Sequence, residues 1–454
     1  MKPLIKIILS IGVMTLILLF SLHLLPDESL SPEASAWLAP NTNLPKPEEN
    51  AYFSLLAFDV PEGQNPHAEG LKKAALISAS AEHYLKTGKN TYKNEAADDL
   101  LSKITLDNLC QWEKQDCFNV LREKNSDVQA LITKYRFLLN RYRDLYQYKH
   151  FHDVTLFTIY TPIPKYAQLL RIQNLSHMAL VNHIDNGQIN EVLTQLQQDF
   201  NFYQRLLAES NNLIAKVIAE RALAQTLHVY SNLLDIPQLS PEVITAINQI
   251  PTLSPAELSL ELAMRSEFRA MANQLLLMAS VPQAFLTTEE DNLLFQWGEK
   301  VLPFKPRATI NFEYPRYTRL LPLNTLSYEE GQALIRQQET PLPVATWRWF
   351  YNPIGHILSD IAVPDFSIYF LRLQDLTGLI ALVKLKAQLR AENITVKQFS
   401  TVNSPYKIHP YTKGVAQIAG EPPFITYAIM AYQRKNPEPT YLSHLYLGKW
   451  FFTD

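Results

Sequence analysis

Apolar residues recur every three or four positions through most of this chain, the spacing that gathers them on one face of an α-helix. The pattern is cleanest over residues 164–235. Tyr166, Leu169, Leu170, Ile172, Leu175, Met178, Ala179 and Ile184 fit one helix, which Asp185-Asn186-Gly187 closes in the manner of a C-cap. Ile189, Val192, Leu193, Leu196, Phe200, Tyr203 and Leu207 fit a second. Ser210-Asn211-Asn212 then offers an N-cap to a third, carrying Leu213, Val217, Leu223, Leu227, Tyr230 and Leu234. Connections this short make the three antiparallel neighbours. The turn at 187–192 is like that between the helices of a tetratricopeptide repeat, but no 34-residue period accompanies it, so the reading is a generic helical hairpin.

Elsewhere the same spacing predicts a short helix from residue 50 closed by Pro61 and Gly63, a helix over 66–86, and one long helix over 118–149. Two further starts follow. Ser240-Pro241-Glu242 is one; Ser254-Pro255-Ala256-Glu257, with capping-box spacing, opens a helix to about residue 280. Seven prolines between 282 and 343 divide 281–350 into short helices and loops. Residues 353–392 are helical again. Beyond 393, ITVKQF, PFITYAIMAY and YLSHLYLG are short, aromatic and β-branched, and read as a small antiparallel β element. The expected fold is therefore mainly α: an irregular antiparallel helical bundle with helical hairpins, an N-terminal transmembrane helix and a small C-terminal antiparallel β element.

The transmembrane helix is residues 7–25, IILSIGVMTLILLFSLHLL, which holds no obligatory charge. About 19 residues at about 1.5 Å each give a helix of about 28 Å, enough for a hydrocarbon core near 30 Å. Lys2 and Lys6 precede it and Asp27 and Glu28 follow, so the N-terminus stays cytoplasmic and the bulk of the chain is exported. A cleaved signal peptide is the rival reading, with Ala34-Ser35-Ala36 as the small-x-small site. The long apolar run, and a site about ten residues beyond it, favour an uncleaved signal-anchor. The chain divides into the anchor at 1–25, a Pro-rich spacer at 26–50, a helical domain at 51–392 and a β-containing element at 393–454.

Composition narrows the function classes. With 41 basic and 44 acidic residues the net charge is −3, so no electrostatic excess attracts nucleic acid. Only 12 glycines among 454 residues argue against Gly-rich phosphate loops and many tight β turns. The two cysteines, Cys110 and Cys117, suggest a disulfide in an oxidising compartment. Seven residues apart on one helix they would sit about 10 Å from each other, too far to bond, so the pairing demands a break between residues 109 and 118.

Two segments carry a resemblance. SNNLIAKVIAERALAQTLHVYSNLL and NPIGHILSDIAVPDFSIYFLRLQDLTGLIALVKL, the latter with Asn352-Pro353, Gly355 and Pro364-Asp365, resemble a group of uncharacterised proteobacterial membrane-anchored helical proteins. The resemblance spans most of residues 50–420. It implies an architecture, with no activity to transfer.

Candidate chemistry is sparse. His150-Phe151-His152-Asp153 is the densest cluster of metal-ligand types, but the further ligands at strand ends that such sites use do not follow in sequence. Glu261 and Glu267 are candidate catalytic carboxylates on a helix that also bears Arg265 and Arg269; an i, i+4 ion pair on a solvated face explains the same residues. His177 and His183 share no helix face and read as surface or partly buried. Ser404-Pro405-Tyr406-Lys407 matches the S-x-x-K of penicillin-binding proteins without its companion motifs. The run 134–150 sets Arg136, Arg141, Arg143 and Lys149 among tyrosines and can contact phosphate or peptidoglycan carboxylates. No nucleophile elbow, zincin helix or Walker loop is present. The expectation is a single-pass inner-membrane protein facing the periplasm, with a binding or scaffolding role toward an envelope protein partner, no cofactor and no catalysis. The alternative is a carboxylate- or His-centred envelope hydrolase acting on peptidoglycan.

Overall fold

The computed structural model describes residues 24–40, 43–93, 109–281, 303–338, 345–362, 365–421, 423–427 and 444–452, with Met14, Ser21 and Leu442. The hydrophobic stretch 7–25 otherwise lies outside the described residues. Among the described residues no helix is long and apolar enough to cross a membrane.

In chain order the helices begin with α1 (Pro32–Leu38), α2 (Ala51–Leu56), α3 (Pro66–Thr87), α4 (Cys117–Glu123), α5 (Asn125–Lys134) and α6 (Arg136–Asp144). Then come α7 (Tyr166–Met178), α8 (Leu180–Asp185), α9 (Ile189–Glu209), α10 (Leu213–Leu233), α11 (Pro241–Asn248), α12 (Pro255–Leu258) and α13 (Glu261–Ser280). The last are α14 (Pro306–Thr318), α15 (Tyr328–Gln338), α16 (Thr346–Tyr351), α17 (Pro353–Ala362) and α18 (Ser367–Ala391).

Helix α10 forms the axis. Ala215, Ala219, Ala222, Leu223, Ala224 and Leu227 are fully buried, and the four alanines let α7, α9, α13 and α18 close on it from several sides. Helix α18 is equally deep, with Leu376, Leu379, Leu382, Val383 and Leu385 at zero exposure. Helices buried on nearly every side, polar positions included, lie in the middle of a large core. Against these two rests a three-stranded antiparallel sheet of β1 (Gln417–Ala419), β2 (Phe424–Thr426) and β3 (His444–Tyr446), in that order. The mainly helical fold with a small sheet near the C-terminus is thus the observed one.

Several expected elements differ in detail. Residues 118–149 are not one helix. Lys124 and Tyr135 leave helical geometry and divide the stretch into α4, α5 and α6. Leu121, Val128, Tyr135 and Tyr142 are all buried at intervals of seven. A straight helix drifts about 20° per seven residues, and the bends restore the phase. A break at Ser259 and Leu260 separates α12, with its capping box between Ser254 and Glu257, from α13. ITVKQF is not a strand: Thr395 and Gln398 close a capping box that starts a 3-10 turn at Val396–Thr401, so local capping overrides β propensity. The strand β1 carried no comparable sequence signal.

Cys110 and Cys117 are bonded, with Cα atoms 5.6 Å apart, and Cys117 opens α4 immediately after the expected break. The stretch 26–50, expected as an extended spacer, is instead held against the body over 26–38. Asp27 accepts from the backbone N–H groups of Arg307 and Ala308 at the start of α14, the favoured place for an anion. Ser31 N–H donates to Asn311, Ala34 is fully buried, and Trp37 packs edge-on against Phe268 and Tyr314.

Candidate functional site

The His150–Asp153 cluster lies in an extended segment rather than at a helix end. Asn50 brackets it, donating to the His152 carbonyl at 2.8 Å and accepting the His152 N–H at 2.9 Å. His150 Nδ1 faces the Glu209 carboxylate at 3.2 Å, and Phe151 N–H donates to the same carboxylate. Asp153 turns inward and accepts from the Thr155 N–H and hydroxyl. Burial raises the Asp153 pKa, with Thr155 and Tyr52 opposing it, and burial lowers that of His152. The side chains diverge to separate partners, and among the described residues no three His, Cys, Asp or Glu groups are arranged to hold a metal.

Glu261 and Glu267 do not converge. Glu261 is exposed at the start of α13, whereas Glu267 is partly buried, and burial raises its pKa. Six residues place them about 9 Å apart along the axis and well round the helix. The expected Glu261–Arg265 ion pair does not form. Arg265 and Arg269 both reach the Trp37 carbonyl, at 3.2 and 2.8 Å, and Arg265 also reaches that of Ala36. They complement the C-terminal end of α1, where unsatisfied carbonyls concentrate negative charge.

The remaining candidates resolve as structural groups. Ser404 caps the 3-10 turn Pro405–Lys407 and donates to Gln388, while the Lys407 ammonium donates to the carbonyls of Phe399, Ser400 and Val402. His183 meets Gln188 across the turn into α9. Lys149 pairs with Glu49 at 2.6 Å. Arg141 turns inward and donates to the carbonyls of Phe58, Val60, Pro61 and Gln64, fixing the loop after α2.

His177, expected at or near the surface, is 1% exposed and belongs to a network that the sequence did not announce. At its centre is Asp199 on α9. One carboxylate oxygen accepts from the hydroxyls of Tyr142 and Tyr146; the other accepts from Gln173 at 2.9 Å, Thr226 at 2.6 Å and His177 at 3.1 Å. Burial pushes the Asp199 pKa up, but the hydrogen bond and charge of His177, then Thr226 and Tyr142, bring it below its ordinary value. The donors come from α6, the 3-10 turn Leu145–Gln147 after it, α7 and α10. The one available signal was an aspartate amid the apolar positions of α9. The network has no opening to solvent at its carboxylate, so its chemistry is that of a lock between helices.

Two open clefts lie on the surface above this network. One, of about 590 Å³, runs between α6 and α9 and is walled by Arg143, Tyr146, Asn190, Thr194, Gln198 and Arg205. The other, of about 710 Å³, lies between α2, α3 and α6 with Phe58, Gln64, His67, Phe137, Arg141 and Tyr148. Gln147 lines both, so the two clefts adjoin at that residue as a trough in two parts. In the second cleft the Ser54 hydroxyl lies 2.7 Å from the Tyr148 hydroxyl and 3.1 Å from His67 Nδ1, and the His67 ring stacks on Tyr148. Burial holds the His67 pKa below its ordinary value against weaker opposing effects of Pro47 and Glu48, so the ring is neutral at pH 7. Amides, hydroxyls, the His67 imidazole, three arginines and the carboxylates of Glu48, Glu62, Asp144 and Glu191 line the clefts and suit hydrogen bonding to an extended polar chain. Glu261, Glu267, His150 and His152 line neither cleft.

No protein-family model matches this chain, and neither does any curated protein or solved structure.

Proposed function

We propose that the protein is a single-pass, membrane-anchored binding or scaffolding protein of the cell envelope. Residues 7–25 act as a signal-anchor in the inner membrane, the N-terminus is cytoplasmic, and the helical body faces the periplasm. The same architecture is proposed for the uncharacterised proteobacterial proteins it resembles.

The observation that carries the binding role is the trough, where two clefts of mixed polar and apolar lining adjoin at Gln147. Its occupant is an extended segment of an envelope protein partner, whose backbone groups meet the lining amides and whose acidic groups meet Arg143 and Arg205. The disulfide supports an oxidising compartment. Retention of the anchor is supported by residues 25–36, whose contacts with α13, α14 and α16 a chain cut after Ala36 forfeits. The peptidoglycan hydrolase reading has less support, since its candidate carboxylates and histidines stand apart from one another and from the trough.

A photo-crosslinking residue at Gln147 or Thr194 of the full chain in cells should trap a discrete adduct, whereas one at exposed Leu76 on α3 should not. Equal labelling at all three positions, or none in the trough, overturns the binding role. Alkaline phosphatase fused after residue 454 should be active; an inactive fusion overturns the topology.

A further inference from the structure

We infer that the corner formed by α16 and α17 lies on the lipid surface beside the anchor, seating the body at the headgroup layer. This rests on the proposed anchor reading and adds to it an orientation for the whole domain.

The corner exposes an unusual set of large apolar side chains. Trp347, Trp349 and Phe350 on α16 are 48%, 40% and 44% exposed; Ile357 and Ile361, one turn apart on α17, are 47% and 79% exposed. Exposed Leu24 and Leu25 belong to the last turn of the hydrophobic stretch. Scattered surface apolar residues need no explanation, but a contiguous group marks a surface that meets something apolar.

What it meets follows from where it is tied. The Tyr351 hydroxyl donates to the Pro26 carbonyl at 2.8 Å, and the Lys305 ammonium donates to the Leu25 carbonyl at 2.5 Å. The Arg348 guanidinium stands 3.4 Å from Glu28. Asn352 locks the corner to α14, accepting from Lys305 N–H and donating to Thr309. Residues hydrogen-bonded to the last carbonyl of a membrane span and to the first beyond it lie within the headgroup layer, about 5–7 Å deep on each side of the core. At that depth tryptophan is favoured, its ring half in the acyl boundary and its N–H wet. Lys305 and Arg348 stand over the Tyr351 and Trp347 rings and suit lipid phosphates. The His356 ring, held between Trp349 and Phe312, keeps the aromatic face rigid.

The test uses the full chain in vesicles of phosphatidylethanolamine and phosphatidylglycerol, with a fraction of the lipid brominated just below the headgroup. Brominated lipid should quench tryptophan emission, and Trp347→Phe with Trp349→Phe, which keeps the apolar bulk, should lose most of that quenching. Undiminished quenching in the double variant, or none in the native chain while it still floats with the vesicles, overturns the inference. A crosslink from Trp347 to a second copy or to another protein, with no quenching, overturns it in favour of a protein-facing role. Release of the chain by alkaline carbonate instead fails the anchor reading itself, a result distinguishable by flotation alone.

Discussion

His177 Nε2 lies 3.1 Å from Asp199 Oδ2 at a depth where neither side chain reaches solvent. Around that contact three helices surrender their polar groups to one carboxylate. Tyr142 arrives from α6 and Tyr146 from the 3-10 turn that follows it, Gln173 and His177 from α7, and Thr226 from α10. Such a network is favourable only when every member is placed, so it selects one arrangement of the helices over neighbouring ones. Asp199→Asn turns one acceptor into a donor that faces donors. Denaturation of the full chain should show a loss of about 3–5 kcal/mol, the range for breaking a buried charge network. A loss under about 1 kcal/mol, the size of one ordinary hydrogen bond, refutes the lock.

The same carboxylate gives the fold an acid limit. Its folded pKa is below its ordinary 3.8, so its contribution is present above that value and is lost as pH falls through it toward the folded one. Between about pH 5 and about pH 3 the native chain should therefore lose stability more steeply than Asp199→Asn, which has nothing to protonate. Parallel curves would exclude Asp199 as the source.

Lys216 gives a slope of the same sign at the alkaline side. Its ammonium donates to the Leu207 carbonyl near the end of α9, yet burial brings its pKa down to about 7, with Glu257 opposing the shift weakly. Between that value and its ordinary 10.5 the unfolded chain binds the extra proton, so stability rises with pH. Melting curves from pH 7 upward should show that rise in the native chain and a flatter profile in Lys216→Met.

The sheet depends on a second buried pair. Lys386 on α18 lies 2.8 Å from Asp235 and donates to the Ser231 and Tyr446 carbonyls, while Asp235 accepts from Gly448 N–H and the Trp450 indole. Lys386→Met strands a buried carboxylate and should cost about 3–5 kcal/mol. Hydrogen exchange should quicken first in residues 444–451. Uniform loosening of the whole chain would argue against this local role.

Opening the disulfide should cost less. The loop from Cys110 to Cys117 is short, and the chain-entropy model gives about 2–3 kcal/mol for closing it. Cys110→Ser with Cys117→Ser should lower the denaturation midpoint by the equivalent amount, and reductant should then have no further effect.

Release of residues 26–38, the strap held against the body, is a local change. Arg265→Ala with Arg269→Ala removes charged donors worth about 1.5–3 kcal/mol each at the end of α1. Exchange over residues 31–38 should accelerate by at least about tenfold, since about 1.4 kcal/mol is one decade. Exchange in α10 should not move.

Helices α3, α9 and α10 were legible because each carries its own start, stop and apolar period. Asn65, Gly88, Gly187 and Asn212 act through contacts a few residues long. The disulfide was legible for the same reason: two cysteines and a length constraint suffice. Loss of helical geometry at Lys124 and Tyr135 was not legible, because it corrects a drift of the apolar stripe that appears only when the stripe must meet one fixed core. His177 and Asp199 were invisible as a pair, since nothing local tells a buried histidine from an exposed one. Spacing pairs Arg265 with Glu261, whereas the carbonyls that Arg265 and Arg269 reach, those of Ala36 and Trp37, lie more than 200 residues away. Hydrophobic period, caps and cysteine count thus determined by themselves that this is a mainly helical protein with a bridged corner. Only the tertiary structure decided which polar groups are buried together, where the strap docks and where the trough opens. Those depend on distances between segments that no periodicity encodes.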